Sequence, residues 1–207
     1  MSNPLSLDPT FQVVYRGKMF EIVHFEGKPG ITFEAAVRSP GVRLLIECDV
    51  PSTGSGPSAG SKGLLMTKEI RREASGVDYR LPGGKVFDSL GELDAFRDAG
   101  GDMLSEAERA AAKEGREEAG VSGGTMSFVS VARAGASVEW DLYYFRLEGA
   151  AFGDQELEEA EQGDIETVRL SAREIFDRLA AGEVQEGRSA DVLWRWLATS
   201  GSLSFRE

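Results

Sequence analysis

Strand-forming segments crowd the first third of this chain, and they constrain its fold more than any other feature of the sequence. Five runs of β-branched and aromatic residues follow one another between glycine and proline residues: FQVVYRG, KMFEIVHFEG, ITFEAAVRS, GVRLLIECDV and GLLMTKEIRRE. Such side chains pack well on a pleated sheet, whereas Gly and Pro end strands at turns. We therefore predict that the chain opens with an antiparallel β-rich extension.

Helices join the strands in the remaining two thirds of the chain. An acidic, helix-prone segment reaches about residue 102, a helix covers residues 105–119, and two strands follow at MSFVSVARA and SVEWDLYYFRLE. A short strand, IETVRL, then leads into two further helices. Helices set among mostly antiparallel strands define the α+β class. We divide the chain into the β-rich extension, residues 1–40, and a main domain, residues 41–207.

The charge of the chain limits its partners. Its 35 acidic residues outnumber 23 basic ones, and the formal net charge of −12 argues against a surface for nucleic acid or anionic lipid. An acidic protein still binds a phosphate compound when a divalent cation mediates the contact. The sequence contains neither an apolar run long enough to span a bilayer nor a signal-peptide pattern, so we expect a cytoplasmic protein.

The single cysteine and the single histidine limit the kinds of metal site and catalytic centre that the chain can form. Cys48 lies in an apolar run and has no second cysteine to pair with, so we predict a buried thiol. His24 lies in a strand-like segment, and we interpret it as an ordinary sheet residue. One histidine argues against a histidine-rich metal site or a histidine-centred hydrolase.

The segment KEGREEAGV, residues 113–121, breaks the rules for a stable helix end. Glu114, Glu117 and Glu118 fall at positions i, i+3 and i+4, so three like charges share one helix face. Gly120 indicates that the helix stops here, where the helix dipole favours cations instead. A divalent cation would turn the repelling carboxylates into joint oxygen ligands. The alternative is a solvated acidic face balanced by neighbouring basic residues such as Lys113.

The beginning of the same helix follows the local rules. The pattern SEAE, residues 105–108, predicts a capping box in which Ser105 caps the backbone and Glu108 reaches back. Several alanines and Gly115 make one helix face small, and such a face suits close packing on a sheet. This helix follows the rules for a stable beginning and breaks those for a stable end, and nothing nearby in the sequence compensates. Such a local departure is typical of a functional site.

The end of this helix resembles the box of the Nudix hydrolases, written G-x5-E-x7-R-E-U-x-E-E-x-G-U with U a bulky aliphatic residue. The matching residues are Glu114, Glu117, Glu118, Gly120 and Val121. The lead-in RLPGGKVFD is similar to the strand and glycine loop that open the box. The runs KEIRRE and GDIETVRLSAREIF, with the β-rich extension, resemble the ADP-ribose and nucleotide-sugar pyrophosphatase branch. This resemblance implies a Nudix-like α/β/α sandwich with a mixed sheet.

The chain departs from the box at several positions. Lys113 stands where the family has arginine, and Gly115 where it has an aliphatic residue. Counting back from Lys113 puts Ser105 at the early glutamate and Ala99 at the early glycine. We prefer Gly84 as the box glycine, which leaves an insert of about fifteen residues before the helix.

The resemblance also implies which residues do the chemistry. Glu114 and Glu118 would be the chief ligands of Mg²⁺ or Mn²⁺, and Glu117 would share a second ion or a bridging water. A backbone carbonyl of Gly83 or Gly84 would add a ligand, because glycine permits close backbone approach.

In the nucleotide-sugar branch, a glutamate from the loop after the box assists the water. Glu161 is the best candidate by its position, and Glu159 is the second. Arg71 or Arg72 would contact the diphosphate, since a guanidinium group suits that anion. The implied substrate is ADP-ribose or another ADP-sugar, and the implied assembly is a homodimer formed through the β-rich extension.

Three alternatives stay open on the sequence. The first is a non-catalytic Nudix-like module that binds or senses a nucleotide, which the departures at Lys113, Gly115 and Ser105 favour. The second is a Nudix hydrolase for a GDP-sugar or a dinucleoside polyphosphate. The third is an acidic structural adaptor that binds no ligand. Retention of all three late glutamates despite their effect on the helix favours an enzyme.

Overall fold

A computed structural model describes residues 10–50, 61–71, 76–135, 137–157 and 163–200. Its strands are β1 Gln12–Arg16, β2 Phe20–Lys28, β3 Ile31–Arg38, β4 Gly41–Val50, β5 Ser61–Arg71, β6 Gly76–Arg80, β7 Val121–Ser122, β8 Thr125–Ala132, β9 Val138–Glu139, β10 Leu142–Glu148, β11 Ala151–Phe152 and β12 Ile165–Ser171. Its helices are α1 Leu90–Asp98, α2 Met103–Glu117, α3 Ala172–Ala180 and α4 Gly187–Thr199. The predicted α+β class is confirmed.

The central sheet is mixed, as expected. Its strands run in the order β12-β5-β4-β10-β8, and β6 also pairs with β5. Strands β4 and β10 are parallel, whereas the β4–β5, β5–β12 and β8–β10 pairs are antiparallel. Strand β5 pairs with β4 only from Ile46 to Val50. The first half of β4 is therefore open to another segment on that side, and the glycine loop, residues 82–84, pairs with it there.

The β-rich extension forms a sheet of its own, in which β1, β2 and β3 make an antiparallel meander. Strand β9 adds to this sheet parallel to β3. The segment SVEWDLYYFRLE, predicted as one strand, therefore divides into β9, in the sheet of the β-rich extension, and β10, in the central sheet. His24 lies on β2 and bonds to Glu34 at 2.9 Å, which agrees with its interpretation as a sheet residue.

Helices cover both faces of the central sheet, which makes the α/β/α sandwich that was predicted. Helices α1 and α2 share one core with β4 and β10, and Cys48 is buried there with 3% exposure. Helices α3 and α4 share a second core on the opposite face. Strand β4 serves both cores, because alternate side chains of a strand point to opposite faces. Among the described residues, no helix is long and apolar enough to cross a membrane.

The segment before α2 that was interpreted as an insert forms α1, which connects the two sheets. Leu90 and Leu93 of α1 are buried in the core under α2. The Leu90 amide also donates to the Lys18 carbonyl at 2.9 Å, and Asp94 pairs with Arg16 of β1. The insert therefore anchors the β-rich extension to the main body.

The predicted capping box at Ser105 is wrong. Helix α2 begins at Met103, and its N-cap is Asp102, whose carboxylate accepts from the Leu104 and Ser105 amides at 3.3 Å each. The Ser105 hydroxyl donates to the same carboxylate at 2.5 Å. Aspartate, three residues before Ser105, is an equally good cap, so the helix begins earlier than predicted.

Candidate functional site

The end of helix α2 lies against strand β4, and Gly115 makes this approach possible. A Cβ atom at Gly115 would lie 3.1 Å from Leu44 Cδ1 and 3.3 Å from Val121 Cγ2. The predicted packing of a small helix face on the sheet is therefore observed. The helix ends at Glu117, Glu118 is its C-cap, and Gly120 has φ of +61°. The crowded glutamates thus stand over the first half of β4.

The glycine loop, residues 82–84, is bound to the same half of β4. The Leu44 amide donates to the Pro82 carbonyl at 2.9 Å, and the Val42 amide donates to the Gly84 carbonyl at 3.0 Å. Gly83 has φ of +144°, and a Cβ atom there would lie 2.2 Å from the Val42 carbonyl oxygen. Only glycine fits at this position without strain.

Two of the three glutamates contact this loop. The Gly83 amide donates to Glu118 Oε2 at 2.7 Å. The Glu114 carboxylate lies against Gly84 so closely that a Cβ atom there would be 2.3 Å from Glu114 Oε1. The helix end and the glycine loop therefore bring Glu114 and Glu118 together at one place.

Glu118 is a buried carboxylate with a strongly perturbed affinity for protons. Its exposure is 7%. Burial raises its pKa to about 7, the Gly83 amide opposes that shift, and the negative charges of Glu114 and Glu69 add to it. A group that is costly to ionise for these reasons gains when a cation binds beside it.

Glu117 is directed elsewhere. Its carboxylate pairs with Lys113 Nζ at 2.9 Å, and a quarter of the side chain is exposed. Within the described part of the chain, no three Asp, Glu, His or Cys side chains stand close enough together to hold a metal ion. Glu117 would have to leave Lys113 before it joined Glu114 and Glu118 as a ligand.

The donor chemistry nevertheless fits Mg²⁺ or Mn²⁺, which bind oxygen ligands. Glu114 and Glu118 supply carboxylate oxygens. The carbonyls of the glycine loop already accept one hydrogen bond each, Gly83 from Arg43 Nη1 at 2.6 Å and Gly84 from the Val42 amide. A carbonyl oxygen has two lone pairs, so each retains one for a cation.

Glu69 is an acidic residue of this site that no sequence motif indicated. It lies on β5 with 5% exposure, and Thr67 Oγ1 donates to its Oε1 at 2.8 Å. Its charge contributes to the raised pKa of Glu118. The available signal was the spacing along β5: Glu69 is four residues after Leu65, so the two side chains lie on the same face of the strand, and Leu65 faces the core under α2.

The remaining predicted site residues lie at the edge of what the structure describes. The backbone of Arg71 ends β5 and pairs with Gly76. Arg72, Glu159 and Glu161 lie outside the described residues.

A cationic cluster lies on the other side of the glycine loop, and no sequence pattern predicted it. Its members are Arg38, Arg43, Arg80, Arg188, Asp78 and Glu186. Glu186 pairs with Arg43 at 3.0 Å and with Arg188 at 3.2 Å. The guanidinium groups outnumber the carboxylates, although the whole chain is strongly acidic. A local positive field of this kind favours an anion.

Trp140 holds two of these arginines in place. The Arg38 guanidinium lies 4.1 Å from the centre of a Trp140 ring, and that of Arg188 lies 4.0 Å from it. Burial, followed by the charges of Arg188 and Arg43, lowers the pKa of Arg38. Arg38 Nε and Trp140 Nε1 are buried without a hydrogen-bond partner among the described residues. Two donors are thus available to a ligand or a water molecule at this point.

Comparisons with known proteins bear on the fold. No protein-family model matches the sequence, and no curated protein matches it. Among solved structures, the chain is similar to a crystal structure of an ADP compounds hydrolase, with a TM-score of 0.62 and 18% identity. The match covers 98% of this chain and 100% of that one. At this identity the likeness shows a shared fold over nearly the whole chain.

Proposed function

We propose that this protein is a metal-dependent pyrophosphohydrolase of the Nudix type. Its substrate would be a nucleoside diphosphate derivative, ADP-ribose or another ADP-sugar, and its products would be a nucleoside monophosphate and a sugar phosphate. The observation that carries the proposal is the meeting of Glu114 and Glu118 at the glycine loop, with Glu118 buried and costly to ionise.

Glu114 and Glu118 would hold Mg²⁺ or Mn²⁺, with the Gly84 carbonyl as a further ligand and Glu117 as a ligand or water contact after it leaves Lys113. The cation, when bound, would neutralise the charge of the diphosphate and acidify a water molecule. The Gly83 amide would keep Glu118 oriented while it ligates. Glu161, or Glu159 as the second candidate, would take the proton from the attacking water.

Arg38 of the cationic cluster would bind the phosphate groups. Arg38 carries an unpartnered buried Nε, and a guanidinium forms strong charge-assisted hydrogen bonds to phosphate oxygens. Arg71 and Arg72 stay candidates for the same role on the basis of the family resemblance. The diphosphate would then lie between a cation held on one side of the glycine loop and guanidinium groups on the other.

A substrate panel tests this proposal. We expect ADP-ribose or another ADP-sugar to give a higher kcat/KM than any nucleoside triphosphate, GDP-mannose or dinucleoside polyphosphate, because differential transition-state binding sets that ratio. The support for an ADP-sugar is the family resemblance and the fold shared with an ADP compounds hydrolase. Release of phosphate from the products by added phosphatase, measured with Mg²⁺ and with a chelator, gives the rates.

Different outcomes of the panel reject different parts of the proposal. A triphosphate or a dinucleoside polyphosphate as the best substrate would reject the ADP-sugar and keep the hydrolase. Equal turnover with Mg²⁺ and with excess chelator would reject the metal site.

The second candidate is a module that binds a nucleotide without cleaving it. The ion pair between Lys113 and Glu117 favours it, because one carboxylate of the box is already neutralised. A thermal shift with ADP-ribose, without turnover of any compound in the panel, would establish this alternative.

We also propose that the protein is a homodimer formed through the β-rich extension. Large apolar side chains are exposed on β1 and β3 at Val13, Val14, Tyr15, Ile31 and Phe33. A second copy would remove these side chains from water, which stabilises an assembly. Light scattering at micromolar concentration should give about twice the chain mass of 22.4 kDa. A single-chain mass would contradict the proposal.

A further inference from the structure

Arg43 is a buried charge in the middle of an apolar strand. It lies on β4 with 6% exposure, between Val42 and Leu44, which pack in the core under α2. Its side chain therefore points to the opposite face of the sheet. A buried charge is tolerated only when it is paired and hydrogen-bonded, so its partners indicate its role.

The Arg43 guanidinium joins helix α4 to the glycine loop. Its Nη1 donates to the carbonyls of Gly83 at 2.6 Å and Val42 at 2.9 Å. Its Nε donates to Glu186 Oε2 at 3.0 Å. The rigid fork of arginine reaches both partners at once, which the single ammonium of lysine cannot do.

Glu186 is itself fixed at the N-cap of α4. Its Oε2 accepts from Ser189 Oγ at 2.9 Å, and its Oε1 accepts from Arg188 Nη2 at 3.2 Å. Because both oxygens are held, Glu186 presents one defined position to Arg43. The α4 end of the contact is thus rigid.

Gly83 connects the Arg43–Glu186 pair to Glu118 on the other face of the sheet. Its carbonyl is held by Arg43, and its amide donates to Glu118 Oε2 at 2.7 Å. Both groups belong to one residue, and a Cβ atom built on Gly83 would lie 2.2 Å from the Val42 carbonyl oxygen, so the α-carbon of Gly83 packs closely against β4. A shift of the Gly83 carbonyl would therefore turn its amide away from Glu118.

We propose that Arg43 and Glu186 are positioning residues that orient the Glu118 carboxylate through Gly83, from the opposite face of the sheet. The proposal rests on the proposed function, in which Glu118 ligates the cation. Partners that orient a metal ligand typically change metal affinity 10–100-fold when they are replaced. Arg43 and Glu186 touch neither the substrate nor the cation.

The test uses the full chain with Arg43→Lys and Glu186→Gln. Trp196→Phe is the matched control, because Trp196 is buried on α4 and bonds to Glu47 at 3.2 Å, away from the loop. Two quantities are measured: the Kd for Mn²⁺ by electron paramagnetic resonance, and the exchange rate of the Gly83 amide in metal-free protein by NMR. The second does not depend on any metal.

We expect both variants to raise the Mn²⁺ Kd at least about tenfold. We also expect them to speed exchange of the Gly83 amide at least about tenfold, while Trp196→Phe changes neither quantity although it lowers Tm. Unchanged Gly83 exchange in both folded variants would overturn the positioning role. Faster Gly83 exchange in the variants, together with a wild type that binds no Mn²⁺, would keep the coupling through Gly83 and reject the proposed metal function.

Discussion

In Mg²⁺, the Glu118→Gln and Glu114→Gln variants are expected to hydrolyse ADP-ribose at least about 100-fold more slowly than the wild type. Glutamine keeps the shape of each side chain, and the amide oxygen introduced by Glu118→Gln could still accept from the Gly83 amide, but the ligand charge is lost. The measurement is kcat/KM at saturating Mg²⁺. Near-normal activity in both variants would contradict the assignment of the metal ligands.

Glu108→Gln is the control for this prediction. Glu108 lies on the same helix, is exposed and faces away from the glycine loop. Its replacement removes one negative charge from α2 without touching the site. We expect its kcat/KM to stay within about twofold of the wild type, because exposed charges on a helix interact weakly.

In the absence of metal, Glu118→Gln is expected to stabilise the protein, although it lowers activity in Mg²⁺. The folded pKa of Glu118 is raised to about 7 by burial, well above its ordinary value of 4.5. The folded protein therefore holds a proton there that the unfolded chain has lost, so stability falls as pH rises towards 7 and stays reduced above it. At pH 8 the free energy of unfolding of the wild type should be lower by a few kcal/mol, on the order of 1.4 kcal/mol per unit of pKa shift. Glu118→Gln has no carboxylate at this position and should not show this loss.

Thermal unfolding in chelator at pH 5.5 and pH 8 measures this effect. Burial also raises the pKa of Glu139 to about 7, so Glu139 contributes a pH dependence of the same sign. The difference between wild type and Glu118→Gln isolates Glu118. An identical pH dependence in the two proteins would show that Glu118 ionises normally.

Alanine at the two loop glycines is expected to have two different effects. Gly83→Ala should lower the free energy of unfolding by about 3 kcal/mol, or Tm by roughly 6–12 °C. The added Cβ would lie 2.2 Å from the Val42 carbonyl, and φ of +144° strains any other residue. The backbone on both sides has little freedom to move, so the clash cannot be relieved locally.

Gly84→Ala should instead spare the fold and remove activity. Gly84 has no positive φ, and the three atoms nearest to its added Cβ all belong to the flexible end of Glu114, with Oε1 at 2.3 Å. The carboxylate swings aside at little cost to the fold. A ligand displaced by about 1 Å can lower turnover about 100-fold.

Gly91→Ala in α1 is the control for both substitutions, since an added Cβ there meets nothing closer than Ser89 Oγ at 3.8 Å. We expect unchanged activity and a gain of up to about 1 kcal/mol, because alanine favours a helix. Circular dichroism melts and kcat/KM separate the three variants. A Gly84→Ala enzyme with full activity would show that Glu114 does not need its observed position.

Local sequence patterns predicted most of the secondary structure of this chain. The β-branched runs that became β1 to β5 act through near neighbours, so their conformation could be predicted without knowledge of the fold. Where two local signals competed, the prediction was wrong: both Asp102 and Ser105 are good caps, and the structure uses Asp102. The choice between the two caps depends on where the end of α1 places the start of α2, and no local pattern encodes that position.

Tertiary structure decided the composition of the site. The repulsion among Glu114, Glu117 and Glu118 is visible in the sequence, but their separate environments are not, because burial and pairing with Lys113 depend on packing. Glu69 and the cationic cluster were missed for the same reason. Their members come from distant parts of the chain and meet only when the sheet and α4 assemble.

The sequence alone determined that this protein is an α+β chain. It also determined that the end of one helix carries crowded carboxylates that need a cation or solvent beside them. Both follow from strand propensity and like-charge spacing, which are properties of neighbouring residues. Only the tertiary structure decided that Glu118 is buried at Gly83 and that Arg43 and Glu186 hold that glycine from the other face. The physical reason is that desolvation and hydrogen-bond geometry arise from contacts between residues far apart in sequence. Arg43 and Glu186 are 143 positions apart in the sequence, and they form a 3.0 Å contact only in the folded molecule.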